Sequence, residues 1–441
     1  MTATVATVFA IVYVGMILGG LPFLQLDRTG VALLGAIAIV GLEVLTPEQA
    51  ALSIHLPTLL LLFSFMVLSA QMRLGGFYTW VTLRIAALPL APPTLLAATM
   101  AAVAALSAVF SNDVVCLAVA PVLADACTQR RLDPVPYLIG LACAANIGSA
   151  ATLVGNPQNM LIGQVLAMHF AAYLREALLP VLLGLAAAWG IIAWRLPAAT
   201  ETQLAVAERR EGDYAALDPW QTAKGLAVAG ALLLVFLFTD WPREVAALAG
   251  AGILMTSQRL HSHKMLGLVD WELLILFIGL FVVNHAFERT GLAAQAIRGL
   301  AAAGLPLSEP APLFATTFVL SNVVSNVPAV MLLLPAATHA VLGPDARARQ
   351  HARRQPADRR LDRQPHRGRR GTPPRHRDRL AASRRDRDSR HGRDARHHGR
   401  LVRLEVMIGS AALAARAKLA HHLGAPKEGQ KKKRTENDGY A

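Results

Sequence analysis

Three short stretches interrupt an otherwise apolar chain with groups able to hold a charged solute. FSNDVV places Ser111, Asn112 and Asp113 inside one hydrophobic run, and SNVVSNVP places Ser321, Asn322, Ser325 and Asn326 inside another. CAANIGSAATLVGNPQNMLIG brings Asn146, Gly148, Ser149, Gly155, Asn156, Pro157 and Asn159 into a third. Ser and Asn offer neutral donors and acceptors, so a solute is held and released without a permanent buried charge. Gly155 and Pro157 disfavour regular helix, and the unwound backbone between two half-helices exposes carbonyls that can coordinate a cation. A half-helix N-terminus presents N–H groups and the positive end of a dipole, which suit an anion. Asp113 is the ionisable member and a candidate for proton or cation coupling. The bland alternative gives each Ser or Asn an interhelical hydrogen bond and each Gly a close-packing point. It suits any one of these residues better than the whole set.

The elements that must position these groups are membrane spans. The 441 residues are 54% hydrophobic and only 16% charged, too apolar for an ordinary soluble protein. Apolar runs near the bilayer-crossing length fall at 4–25, 30–46, 57–72, 90–127, 135–168, 173–195, 221–239, 242–256, 271–287 and 309–342. The fourth, fifth and last are interrupted. The first run has no basic leader and further spans follow, so it reads as a retained helix. Arg and Lys collect in the connections at Arg28, Arg73, Arg130 and Arg131, Arg209 and Arg210, and Arg259 to Lys264. One topology makes all of these cytoplasmic, with the N-terminus outside and the run at 90–127 entering and leaving from the same side. The spans at 57–72 and 271–287 then run in opposite directions. His55, His285 and Glu288 lie near span ends and read as interfacial, and Cys116, Cys127 and Cys143 read as small buried hydrophobes.

The chain also repeats. LLLLFSFMVLSAQMRLGG resembles LLILFIGLFVVNHAFERTG, and VFSNDVVCLAVAPVL resembles VVSNVPAVMLLLPAA. Phe63 aligns with Phe277 and Ser111 with Ser325, both at a spacing of 214 positions. With opposed span directions, this predicts an inverted-topology repeat, with binding groups at the broken helices. The expected divisions are a first transporter repeat at 1–195, a linker at 196–220, an incomplete second repeat at 221–343 and a separate tail at 344–441.

The SND and SNV tips, with ANIGSAATLVGNPQN after the first, resemble the ion transporter superfamily. The likeness is to its arsenite-permease and citrate-transporter-like branch, related to the divalent anion:sodium symporters. It covers roughly residues 1–342. The resemblance implies an all-α polytopic membrane protein with re-entrant hairpins and broken helices around a central site for an anion and its coupling ions. Carried over, Ser111 and Asn112 match the first hairpin motif, Ser325 and Asn326 the second, and Gly155 to Asn159 the first helix break. Asp113 and Val327 stand where that family carries threonines.

After Gly343 the composition changes. Up to that residue 15 Lys and Arg face 18 Asp and Glu, whereas from Pro344 onward the counts are 28 and 11. From Pro344 to Arg400 there is no Val, Ile, Phe, Met, Trp, Tyr, Cys, Lys, Asn or Glu, and only two Leu. The remaining residue types share GC-rich codons. Shifting the frame by one base after about Ala346 permits an apolar span broken by a Gly-Ser pair and an Asn, where the family has its second broken helix. The expectation is a shifted reading frame.

The function expected is a secondary active permease of the cell inner membrane for a small anion, such as arsenite, another inorganic oxyanion or a carboxylate. A proton or a sodium ion at the hairpin tips would couple it, with no organic cofactor, resident metal or nucleic-acid partner, and a homodimer is compatible. No phosphate-binding loop or nucleophile–base pair is visible, which argues against direct use of ATP and against an enzyme. The alternative is a membrane-anchored protein whose basic tail binds nucleic acid or anionic lipid. Interspersed acids and absent aromatics weigh against it.

Overall fold

Seventeen helices account for nearly all regular structure among the described residues of this computed structural model, which are 1–341 except 22–23, 197–215, 258 and 308. Most of the 196–220 linker, and the arginine-rich run with its expected frame change, lie outside the described residues. The all-α expectation holds, apart from one two-residue strand pair joining Gly20–Leu21 (β1) to Leu26–Asp27 (β2). Five helices are long and apolar enough to cross a membrane: α4 (Leu56–Leu74), α6 (Pro92–Val109), α10 (Phe170–Ala193), α11 (Pro219–Phe238) and α14 (Trp271–Arg289). α1 (Thr2–Leu18), α2 (Arg28–Gly41) and α16 (Pro310–Val324) are shorter apolar helices.

Helix starts follow local chemistry. Asp27 accepts from Gly30 N at 2.8 Å before α2, and Asp218 accepts from Trp220 N and Gln221 N before α11. Asp270 accepts from Leu273 N before α14. Each carboxylate satisfies donors that the first turn leaves unpaired, and does so outside the apolar stretch. Thr46 and Gln49 form a reciprocal capping box on the short α3 (Pro47–Ser53).

The repeat extends beyond the motifs that revealed it. Displaced by 214 positions, α1, α2, α3 and α4 fall on α11, α12 (Arg243–Met255), α13 (Ser262–Leu266) and α14. The next three, α5 (Phe77–Ala86), α6 and α7 (Asn112–Gln129), fall on α15 (Leu292–Ala302), α16 and α17 (Asn326–Val341). The short connecting helices thus recur too. Packing exchanges partners between the halves: α2 lies along α14, and α12 lies along α4. α1 also meets α14, and α11 meets α4. Such an exchange is what a two-fold relation between halves produces. At the α2–α14 crossing a Cβ on Gly279 would sit 2.7 Å from the Ala32 carbonyl, so glycine sets the close approach.

A second packing group comprises α5, α6, α7, α8 (Pro134–Ser149) and α10. Arg130, 1% exposed, follows α7 and donates to the carbonyls of Ala86, Leu88 and Leu90, closing the end of α5. Beyond its place in a basic connection, its guanidinium is a buried cap for a helix C-terminus.

Candidate functional site

All three interrupted runs are broken helices. α6 ends at Val109 and α7 starts at Asn112, with Phe110 and Ser111 extended between them. α8 ends at Ser149 and α9 (Pro157–Val165) begins after seven non-helical residues, Ala150 to Asn156, every one of them buried. Irregular backbone at this depth persists only where protein satisfies its polar groups. α16 and α17 are divided at Ser325, whose φ of 79° and ψ of 162° lie in a region essentially reserved for glycine. Ser111, at the matching place, has an ordinary φ of −58°.

The first and second breaks form one cluster. Asn112 N–H donates to the Gly155 carbonyl at 3.3 Å, and Asn112 Nδ2 donates to Asn146 Oδ1 at 3.3 Å. Ser149 Oγ donates to the Asn146 carbonyl and accepts from Asn156 Nδ2 at 3.1 Å. A Cβ on Gly155 would stand 2.7 Å from the Ser107 carbonyl and 2.8 Å from Ser149 Cα, so only glycine allows the loop to touch α6. Gly148 permits a similar approach from α8, where a Cβ would meet the Ala104 carbonyl at 2.6 Å.

Within this cluster the candidates separate by what they have left to offer. Asn156 caps α9 by accepting from Asn159 N at 2.8 Å, with Pro157 at the first helical position. Asn159 Nδ2 donates to the Thr152 carbonyl and to Tyr173 Oη, which itself donates to the Ala150 carbonyl at 2.9 Å. These residues build the break. Asn112 Oδ1 and Ser107 Oγ, by contrast, are buried with no partner among the described residues. An orphaned buried oxygen costs stability unless something else completes it. Asp113 is exposed, in the first turn of α7, where a carboxylate complements the helix dipole.

At the third break, Ser325 and Asn326 are half-buried. Ser321 and Asn322 do not converge with them. Ser321 Oγ and Asn322 Nδ2 both bond back to the Phe318 carbonyl within α16, and Asn322 is exposed. Beside the first turn of α17, Tyr13 Oη donates to Asn284 Oδ1 at 2.9 Å and reaches the Pro328 carbonyl at 3.4 Å. α17 also packs against α9, so the breaks of the two halves are joined through these helices.

Sequence reasoning missed Ser69, Ser107, Tyr173, Tyr13 and Asn284. Ser69 Oγ accepts from Ser111 N at 3.3 Å, which makes α4 a wall of the first tip, as α14 is of the second through Asn284. The 214-residue spacing contained some of the signal: Ser107 is the counterpart of Ser321, and Asn284 is the lone amide in the repeated α14 segment. Contacts between halves add a clasp, in which Arg243 donates to the Gly163 carbonyl at 2.8 Å and Gln164 donates to Glu244 Oε2 at 3.1 Å.

The chain matches the family model described as citrate transporter over residues 11–351. It is 28% identical over 341 residues to an uncharacterized transporter of Mycobacterium tuberculosis (strain CDC 1551 / Oshkosh), covering 72% of this chain and 77% of that one. An uncharacterized transporter of Synechocystis is 26% identical over 349 residues, covering 76% and 78%. The silicon efflux transporter LSI3 of Oryza sativa subsp. japonica is 32% identical over 177 residues, covering 40% of this chain and 36% of that protein.

Proposed function

Because the chain belongs to the citrate transporter family and is therefore a multi-pass membrane transporter, we propose that it is a secondary active permease of the cell inner membrane for a small anion, an inorganic oxyanion or a carboxylate. The observation that carries this reading is the Asn112 amide oxygen, buried beside the Gly155 loop and without a partner among the described residues. A neutral oxygen of this kind, with Ser107 Oγ also unpartnered, suits a sodium ion that binds and leaves with the solute. Proton coupling would instead route through Asp113, which is exposed on α7. The Asn326 and Val327 N–H groups at the start of α17 support an anion next to it.

The second half of such a site calls for a broken helix matching α8 and α9. A one-base shift after about Ala346 permits such a helix in the run that follows, and the family match ends at residue 351. Sequencing codons 340–400 tests it directly. The functional test is uptake of labelled citrate, arsenite and silicate into proteoliposomes under a sodium or proton gradient. The 441-residue chain and a frame-restored form are run side by side. Accumulation of a probe by the restored form, abolished by Asn112→Ala and by Asn326→Ala, is the expected result. Uptake of none of the probes by either form would refute the transport assignment.

A further inference from the structure

Asn284 lies on α14, outside every interrupted run, yet it is only 8% exposed and its Nδ2 has no partner among the described residues. Its other end is fixed. Tyr13, brought by α1, donates its hydroxyl to Asn284 Oδ1 at 2.9 Å and reaches the carbonyl of Pro328 at 3.4 Å. That double reach seats the amide against the first turn of α17, and the bond to Oδ1 leaves the two Nδ2 hydrogens as the free face of the side chain. The same turn carries backbone N–H groups that a helix start leaves without intrahelical partners. A buried pair of donors beside such a turn is costly unless an acceptor arrives.

We propose that Asn284, oriented by Tyr13, is a solute-contacting and specificity-determining residue that donates to the anion held at the start of α17. The inference rests on the permease reading and deepens it: the second half-site recruits a donor from α14 that its own Ser-Asn motif does not contain. Tyr13 acts through Asn284, as a positioning residue. A solute rich in acceptor oxygens satisfies this corner, whereas a cation meets the wrong end of the amide.

The experiment uses the purified 441-residue chain and the frame-restored form, each in detergent, and follows thermal unfolding while citrate, and separately arsenite, is titrated. In the wild type one of the two probes is expected to raise the unfolding temperature in a saturable way. Asn284→Leu should raise the half-maximal concentration roughly tenfold to a hundredfold. Its ligand-free unfolding temperature should change little, because loss of an unsatisfied donor offsets loss of the acceptor that Tyr13 Oη uses. Asn284→Gln should recover some of the affinity, and Tyr13→Phe should lose severalfold. Half-maximal concentrations in Asn284→Leu equal to wild type would overturn the inference while leaving the permease reading intact, as would a loss of ligand-free stability with affinity unchanged. Absence of stabilisation of the wild type by both probes would overturn the anion reading and this inference together.

Discussion

Replacing Gly155 by Ala is the sharpest test of the first half-site's construction. The added methyl would stand 2.7 Å from the Ser107 carbonyl and 2.8 Å from Ser149 Cα, and closer still to the Ser149 carbonyl. All three are backbone atoms, so no side chain can rotate away. The loop must withdraw from α6, and the Asn112 N–H to Gly155 carbonyl bond at 3.3 Å is then lost. Overpacking of a tight interior costs about 1–3 kcal/mol and a lost hydrogen bond about 1 kcal/mol, giving roughly 2–4 kcal/mol in all. Cys127 and Cys143 are 1% and 6% exposed, so their labelling by a thiol-reactive dye reports unfolding. The control is Gly252→Ala on α12, where a Cβ meets nothing within 4 Å and helix propensity favours Ala. Unfolding in detergent should move down by several degrees for Gly155→Ala and hold or rise for Gly252→Ala. Equal stability of the two variants would refute the claim that this loop is locked against α6 by backbone contact.

Arg130→Ala removes a buried guanidinium from three carbonyls at the end of α5, and should cost roughly 3–5 kcal/mol. Arg130→Lys should recover less than half of that in the same thiol assay, since an ammonium cannot fork across the set. Ser325→Gly relieves a conformation costing about 1–3 kcal/mol, so unfolding should occur at a higher temperature; a lower one would show that the backbone at this break is unstrained. If sodium is the coupling ion, Ser107→Ala should weaken the sodium dependence of uptake at least tenfold, while Asp113→Asn leaves the pH dependence unaltered. The reverse pattern would move coupling to Asp113.

Much of this architecture was legible because lipid imposes a simple rule on sequence. Each apolar run corresponds to a helix or a broken pair, and Gly155-Asn156-Pro157 marks the α8–α9 break by residue types that disfavour continuous helix. The 214-residue spacing worked because α4 and α14 kept similar faces for equivalent partners. What stayed hidden depended on direction rather than type. Asn322 looks like Asn112 in a string of letters, but it bonds back to Phe318 and faces outward, while Asn112 turns into the cluster. Arg130 and Arg131 are equivalent in CTQRRLDP, and nothing there indicates that the end of α5 folds over Arg130. Asn284 and Tyr13 are 271 positions apart, so their bond is a product of tertiary packing alone.

The exchange of partners between α2 and α14, and between α4 and α12, governs how this chain can be born. α2 and α4 enter the bilayer while their partners are still unsynthesised, on the order of 10–40 s ahead at ordinary elongation rates. Through that interval their small-residue faces, Ala32 among them, have only lipid or insertion machinery to lie against. The wait ends when α14 closes at Arg289, well upstream of Ala346. The interlocked frame is thus complete before the ribosome reaches the arginine-rich codons. Whatever follows Arg289 is thus added to halves that are already paired.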